Sequence, residues 1–155
     1  MHVVLVEPEI PPNTGNIART CAATGSILHL VEPLGFSVSD RDVKRAGVDY
    51  WHLVEVRIHP SWTEFPQALR QPERLHLFTS RGGLRYDRAA YSADDVLVFG
   101  RESSGLPDWL LNGYPDRWRQ IPMHREVRSL NLANAVAIAV YEGLRQMSFA
   151  GFRPE

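Results

Sequence analysis

Three short stretches hold the residues best suited to chemistry. Asn13 and Arg19 stand in PEIPPNTGNIAR; Gly100 and Gly105 bracket Arg101, Glu102, Ser103 and Ser104 in FGRESSGLP; Ser129, Asn131 and Asn134 cluster in RSLNLANAV. Glycine, lacking Cβ, lets a main chain come close to a ligand. Small polar groups at the start of a helix lie beside the orphan N–H groups of its first turn. An arginine carries a permanent charge and donors matched to phosphate. Each group also has a plainer reading. Ser129 would be an N-cap and the asparagines surface residues, Arg19 a solvated helix arginine opposite Cys21, and Glu102 a solvated loop acid.

Alternating strands and helices must position these groups. His2–Glu7 reads as a buried strand, followed by a helix that Asn13 or Thr14 caps and Gly25 ends. Ile27–Val31, Leu75–Thr79 and Val96–Phe99 are further apolar strands, and Leu53–Ile58 alternates as an exposed or edge strand. Ser39-x-x-Asp42 opens a short basic helix with Arg41, Lys44 and Arg45, ended by Gly47. Thr63 caps another helix, with Pro66 in its first turn. A short helix has Pro107 in its first turn and runs to Leu111, where Asn112-Gly113 ends it. An apolar strand end at Gln120–Met123 leads through a polar loop, His124–Arg128, into a helix opening at or near Ser129. That helix is apolar on almost every face, which implies burial against the sheet on one side and a second subunit on the other. The pattern is α/β, a mostly parallel sheet flanked by helices, in one domain spanning residues 1–155.

Composition excludes several classes. The net charge of −1 provides no global basic field, so any nucleic-acid contact must come from local clusters such as Arg41/Lys44/Arg45, Arg81/Arg85 and Arg125/Arg128. The single cysteine, Cys21, allows no internal disulfide and fits a reducing cytoplasm. No apolar run suits a membrane span, and the first residues do not read as a signal peptide. The six histidines form no HxxxH or HExxH, so no metal site is expected. Neither GxGxxG nor GxxxxGK[ST] follows the first strand, and GxSxG is missing. The remaining ligand site of such a sheet is the C-terminal edge of its strands, after Thr79, after Phe99 and around Ile121.

The pair FGRESSGLP and IPMHREVRSLNLANAV, with EPEIPPNTGNIAR and KRAG-VDY, resembles the SPOUT RNA methyltransferases over nearly the whole chain. Within that family it is similar to the small members that methylate the ribose of the anticodon wobble nucleotide of tRNA. Arg101 stands where many relatives carry proline, on the loop but not at a glycine. The resemblance implies a C-terminal trefoil knot, S-adenosyl-L-methionine (SAM) as cofactor, the tRNA anticodon stem-loop as partner, and a homodimer.

The resemblance also implies roles. Phe78, Thr79, Gly100, Glu102, Gly105, Ile121, Met123, Ser129 and Leu130 fall at positions that hold SAM, with Phe78, Ile121 and Leu130 burying the adenine faces. Arg19, Asn13, Ser129 and Asn131 are the candidate catalytic residues. A guanidinium is effectively never deprotonated, so Arg19 is expected to grip an RNA phosphate while that phosphate, or water, takes the ribose proton. Asn13, Ser129 and Asn131 would orient the ribose. Two alternatives stay open: a non-catalytic RNA-binding or ribosome-assembly protein on the same fold, and a domain binding NAD or ATP.

Overall fold

The computed structural model describes residues 1–39 and 50–152. Seven strands form one sheet: β1 (His2–Val6), β2 (Ile27–Val31), β3 (Val56–His59), β4 (Leu75–Phe78), β5 (Leu84–Arg85), β6 (Val96–Phe99) and β7 (Trp118–Gln120). Their order is β3-β2-β1-β6-β4-β7-β5, and every pairing is parallel. The helices are α1 (Pro11–Thr24), α2 (Asp108–Gly113) and α3 (Leu132–Gln146).

The central strands read as unbroken apolar runs because both their faces are covered. On one face Val3, Leu5, Leu28, Leu30, Leu97 and Phe99 pack against Ile17 and Cys21 of α1 and Val136, Ala139 and Val140 of α3. On the other, Val4, Val6, Leu77 and Val98 meet Trp62, Phe65, Leu110 and Leu111. Each such buried side chain contributes about 1.5–3 kcal/mol of transfer free energy, so register is strongly specified.

Several local expectations shift. No side chain within α1 caps it: its N-cap is Ile10, and Asn13 and Thr14 are buried inside the helix. Pro11 and Pro12 fill its first positions, where a missing N–H costs nothing. Gly25 ends it at φ 64°, as expected. The last helix begins at Leu132, not Ser129, because Asn131 is the N-cap. The segment between Gln120 and Asn131 runs instead as loop across the ends of the strands. Pro107 is the N-cap of α2 rather than part of its first turn, and that helix runs through Gly113 before Tyr114. The helix expected after Thr63 is a turn: Trp62 and Phe65 stack at 5.2 Å and sink into the core, and Ser61 Oγ, not Thr63, accepts Glu64 N–H. The strand expected over Leu53–Ile58 begins later and runs one residue further, Val56–His59, at the sheet edge as expected; Trp51–Leu53 is a single 3-10 turn. The basic helix bearing Arg41, Lys44 and Arg45 lies outside the described residues.

Candidate functional site

The C-terminal ends of β4, β6 and β7 open onto one cleft of about 490 Å³. This is where open α/β sheets place their ligands, and the volume suits a small organic group. Three loops wall it. Phe78 and Phe99, stacked at 4.6 Å, close the end of the sheet, and Thr79 continues from β4. Gly100, Glu102 and Gly105 form the second wall; Ile121, Met123, Ser129, Leu130 and Asn131 form the third, and Asn13 enters from α1. All nine residues expected to hold the cofactor thus line one space, with three of the four expected catalytic residues.

The glycine loop is a tight hairpin. Arg101 N–H donates to Gly105 O at 3.1 Å and Gly105 N–H returns to Arg101 O at 2.9 Å. A Cβ on Gly100 would lie 2.1 Å from the carbonyl carbon of Gly105 and 2.2 Å from Leu106 N, so no larger residue fits this turn. Gly105 itself sits at φ +72° with open space around it.

That hairpin is latched to the start of α1. Glu102 accepts Glu9 N–H at 2.8 Å, Ile10 N–H at 3.1 Å and Asn13 Nδ2 at 3.2 Å. It therefore holds the two residues that lead into a helix about ninety positions earlier in the chain, and its negative charge faces the positive end of that helix's dipole. Glu9 replies by accepting Ser103 N–H and Oγ–H, which hold its carboxyl below the ordinary range, and Arg101 pairs with Glu7. Asn131 Nδ2 donates to Asn13 Oδ1 at 2.9 Å, while Asn131 Oδ1 caps α3 by accepting Ala133 and Asn134 N–H. Ser129 is exposed on the cleft, and its hydroxyl has no hydrogen-bond partner among the described residues.

Below the cleft lies a buried polar chain that the sequence pattern did not reveal. Arg119 Nε donates to His76 Nδ1 at 3.0 Å, and His76 Nε2 lies 2.9 Å from Asp95 Oδ2. Arginine only donates, so His76 Nδ1 accepts and its Nε2–H points to Asp95. Burial pulls the Arg119 guanidinium down from its ordinary value. The chain fixes β7 against β4, and Arg119 O accepts Thr79 N–H at 3.0 Å at the lip of the cleft.

Arg19 does not line this cleft. It lies, exposed, in a neighbouring groove between α1 and α3 with Asn16, Thr20, Asn134, Ala137 and Tyr141. Asn131 borders both spaces. Ile10, which sequence reasoning missed, also stands on the cleft wall, as do Arg81 and Arg128, which it assigned to RNA-contacting clusters and not to the cleft. Arg81 pairs with Asp108, and Arg128 has no acidic partner among the described residues. Among those residues no group of histidine, cysteine and acids could hold a metal, and no helix is long and apolar enough to cross a membrane.

A parallel sheet with glycine-loop and helix-start walls around one C-terminal cleft defines a nucleotide-type ligand site on an α/β fold. The chain belongs to the SpoU rRNA Methylase family, whose pattern matches residues 1–141. It is 48% identical over 152 residues to a tRNA (cytidine(34)-2'-O)-methyltransferase of Burkholderia cenocepacia, covering 97% of each chain. Among solved structures, one from work on 2'-OH methylation of C/U34 on tRNA superposes with a TM-score of 0.90 at 47% identity, covering 96% of both chains. An AdoMet-bound rRNA methyltransferase from Sinorhizobium meliloti superposes with a TM-score of 0.84 at 26% identity, covering 94% of this chain and 56% of that one.

Proposed function

We propose that this chain methylates the ribose 2'-hydroxyl of the tRNA wobble nucleotide, cytidine or uridine 34, using SAM. The observation that carries the reading is one cleft that gathers the nine expected cofactor positions and Ser129, in a chain almost half identical to a wobble methyltransferase along its whole length.

The residues present fit SAM. Phe78, Ile121 and Leu130 offer apolar faces for an adenine, and the bare backbone at Gly100 admits close main-chain contact. When bound, SAM supplies a methyl group activated by its sulfonium. The protein's part is to hold and orient the acceptor and to provide for its proton. Ser129, with its free hydroxyl, meets the ribose. Asn13 and Asn131, whose amides bond to each other, fix the wall from which Ser129 projects. Arg19 grips an RNA phosphate, and the gripped phosphate or a water takes the proton.

Arg19 stands outside its own chain's cleft, and this supports a site shared between two copies paired over the α1–α3 groove. Tyr141, exposed at 46%, and the half-buried Ala137 and Ile138 supply apolar surface for that pairing. The knot implied by the resemblance is supported by the placement of β7 between β4 and β5 before the chain runs on into α3, which packs against α1. The unpaired Cys21 and a tRNA substrate favour the cytoplasm.

The test is methyl transfer from labelled SAM to bulk tRNA taken from cells deleted for this gene, followed by nucleoside mass spectrometry of the anticodon loop. A 2'-O-methyl group at position 34 is expected. RNA binding with no transfer would leave the non-catalytic RNA-binding protein.

A further inference from the structure

The Arg19 guanidinium carbon lies 5.0 Å from the centroid of the Tyr50 ring. Tyr50 is 39% exposed and leads into the 3-10 turn at Trp51–Leu53, with its carbonyl accepting Leu53 N–H at 2.8 Å. Trp51 and Val54 pack onto the core beside α1, so the ring is held where α1 presents Arg19. Arg19 makes no ion pair among the described residues, unlike Arg57, Arg81, Arg85, Arg101 and Arg145.

The choice of partner has a chemical consequence. A carboxylate would neutralise the guanidinium and occupy its forked N–H donors. An aromatic face attracts the same cation through its quadrupole and leaves those donors and the full charge available. Arg19 is thus restrained without being spent.

We infer that Tyr50 is the positioning residue for Arg19, holding the guanidinium plane so that its N–H edge is free for an RNA phosphate. This rests on the reading of Arg19 given above. The ring fixes the guanidinium, and with it the gripped phosphate that takes the ribose proton, so its loss lowers the rate at which bound RNA reacts.

The experiment compares Tyr50→Phe, Tyr50→Leu, Arg19→Ala and the Tyr50→Leu/Arg19→Ala double variant, with full chains and bulk tRNA from the deletion strain. A ring-fluorinated phenylalanine at position 50 keeps the shape and weakens the quadrupole, and serves if Tyr50→Leu does not fold. Melting temperature and the melting shift with S-adenosylhomocysteine report fold and cofactor cleft. Tyr50→Phe is expected to match the native chain. Tyr50→Leu and the fluorinated ring are expected to leave both melting readouts and the KM for SAM unchanged while kcat drops between about twofold and fivefold. With Arg19 already removed, Tyr50→Leu is expected to change neither residual activity nor tRNA affinity. Native kcat in the fluorinated chain, with Arg19→Ala inactive, overturns the role of Tyr50. An equal loss from Tyr50→Leu with and without Arg19 also overturns it. A fully active Arg19→Ala instead overturns the role of Arg19 itself.

Discussion

Asn131 Nδ2 donates to Asn13 Oδ1 at 2.9 Å, joining the first turns of two helices 118 residues apart. The direction of this bond is fixed from elsewhere. Glu102 only accepts, so Asn13 must turn Nδ2 to Glu102 and Oδ1 to Asn131. One line of polar contacts therefore runs from the glycine hairpin through α1 to the start of α3. Asn131→Asp separates its two duties. An aspartate still accepts Ala133 and Asn134 N–H and still caps α3, but it has nothing to donate to Asn13. The melting temperature is expected to stay within a few degrees of native while methyl transfer falls about tenfold or more. Asn131→Ala is expected to lose both, with about 1 kcal/mol of stability from the missing cap. Denaturant melts beside initial rates separate the two; equal activity of Asn131→Asp and native chain would remove the Asn13 link from the mechanism.

The two glycines of the hairpin are expected to respond differently to alanine. At Gly100 the new Cβ meets backbone of Gly105 and Leu106 at 2.1–2.2 Å, and backbone cannot yield as a side-chain tip does. Gly100→Ala should open the hairpin and abolish the melting shift given by S-adenosylhomocysteine. At Gly105 the space is open and only the left-handed backbone resists, at about 1–2 kcal/mol. Gly105→Ala should therefore keep most of the shift. Isothermal titration of both variants checks the contrast, and equal affinities would mean that the hairpin geometry does not shape the cofactor site.

What was legible in the sequence follows from where the determining contacts lie. Val96–Phe99 and Ile27–Val31 were visible to the residue because a strand buried on both faces must be apolar throughout. The anchoring of the entry to α1 was not, because Glu102 supplies it from about ninety residues away in the chain. Ser129 resembled an N-cap by type, yet Asn131 has the geometry, and the difference leaves Ser129 free on the cleft. Strand β5 is two exposed residues paired only to β7, too short to show any period. The grouping of three loops around one cleft was legible from the strand ends of a parallel sheet, and the cofactor positions on them through the family resemblance, whereas the chain Arg119–His76–Asp95 joins residues that no local spacing connects.

Acid should unfold the protein from its other sheet face. His29 bonds to His2 and to His59, each at 2.9 Å, with the Phe65 ring edge-on. Burial first, then the neighbouring histidines, holds His29 at about 3 against an ordinary value of 6.5, and burial lowers His2 and His59 as well. The unfolded chain then binds more protons than the folded one below about pH 6.5. Stability is full above that pH and is lost as pH falls towards 3, by up to about 1.4 kcal/mol per unit from His29, with His2 and His59 acting in the same direction. Urea unfolding at about pH 7.5 and about pH 5 measures the slope. His29→Asn is expected to flatten it; an unchanged slope would place the acid sensitivity elsewhere.

Among the described clusters proposed for RNA, ion pairing distinguishes two. Arg81 pairs with Asp108 and Arg85 with Asp87, so their charge is already compensated. Arg125 and Arg128 are exposed on the loop before α3 with no acidic partner among the described residues. Replacing both by alanine should reduce the slope of log affinity for tRNA against log salt by about 0.7–0.9 for each phosphate no longer neutralised. Arg85→Ala should leave that slope unchanged. The reverse ranking would move the RNA surface to the β5 side of the cleft.

If the site is shared, two inactive chains should rescue each other. Arg19 lies in the α1–α3 groove, while Ser129 lies on the cleft of the same chain. In the paired arrangement, Arg19 of one copy serves Ser129 of the other. Take Arg19→Ala and Ser129→Ala, each inactive alone, and unfold and refold them together. A mixed dimer then has one site holding both lesions and one site holding both native residues. A random mixture contains about half mixed dimers by the pairing of equivalent subunits. Each mixed dimer has one working site of two, so activity should return to about a quarter of native. If every site drew its residues from one chain, each site in the mixed dimer would carry one lesion and the mixture would stay silent. Differently tagged chains, purified sequentially on both tags, establish that mixed dimers are present. Silence in that purified fraction would leave pairing over the α1–α3 groove without a catalytic role.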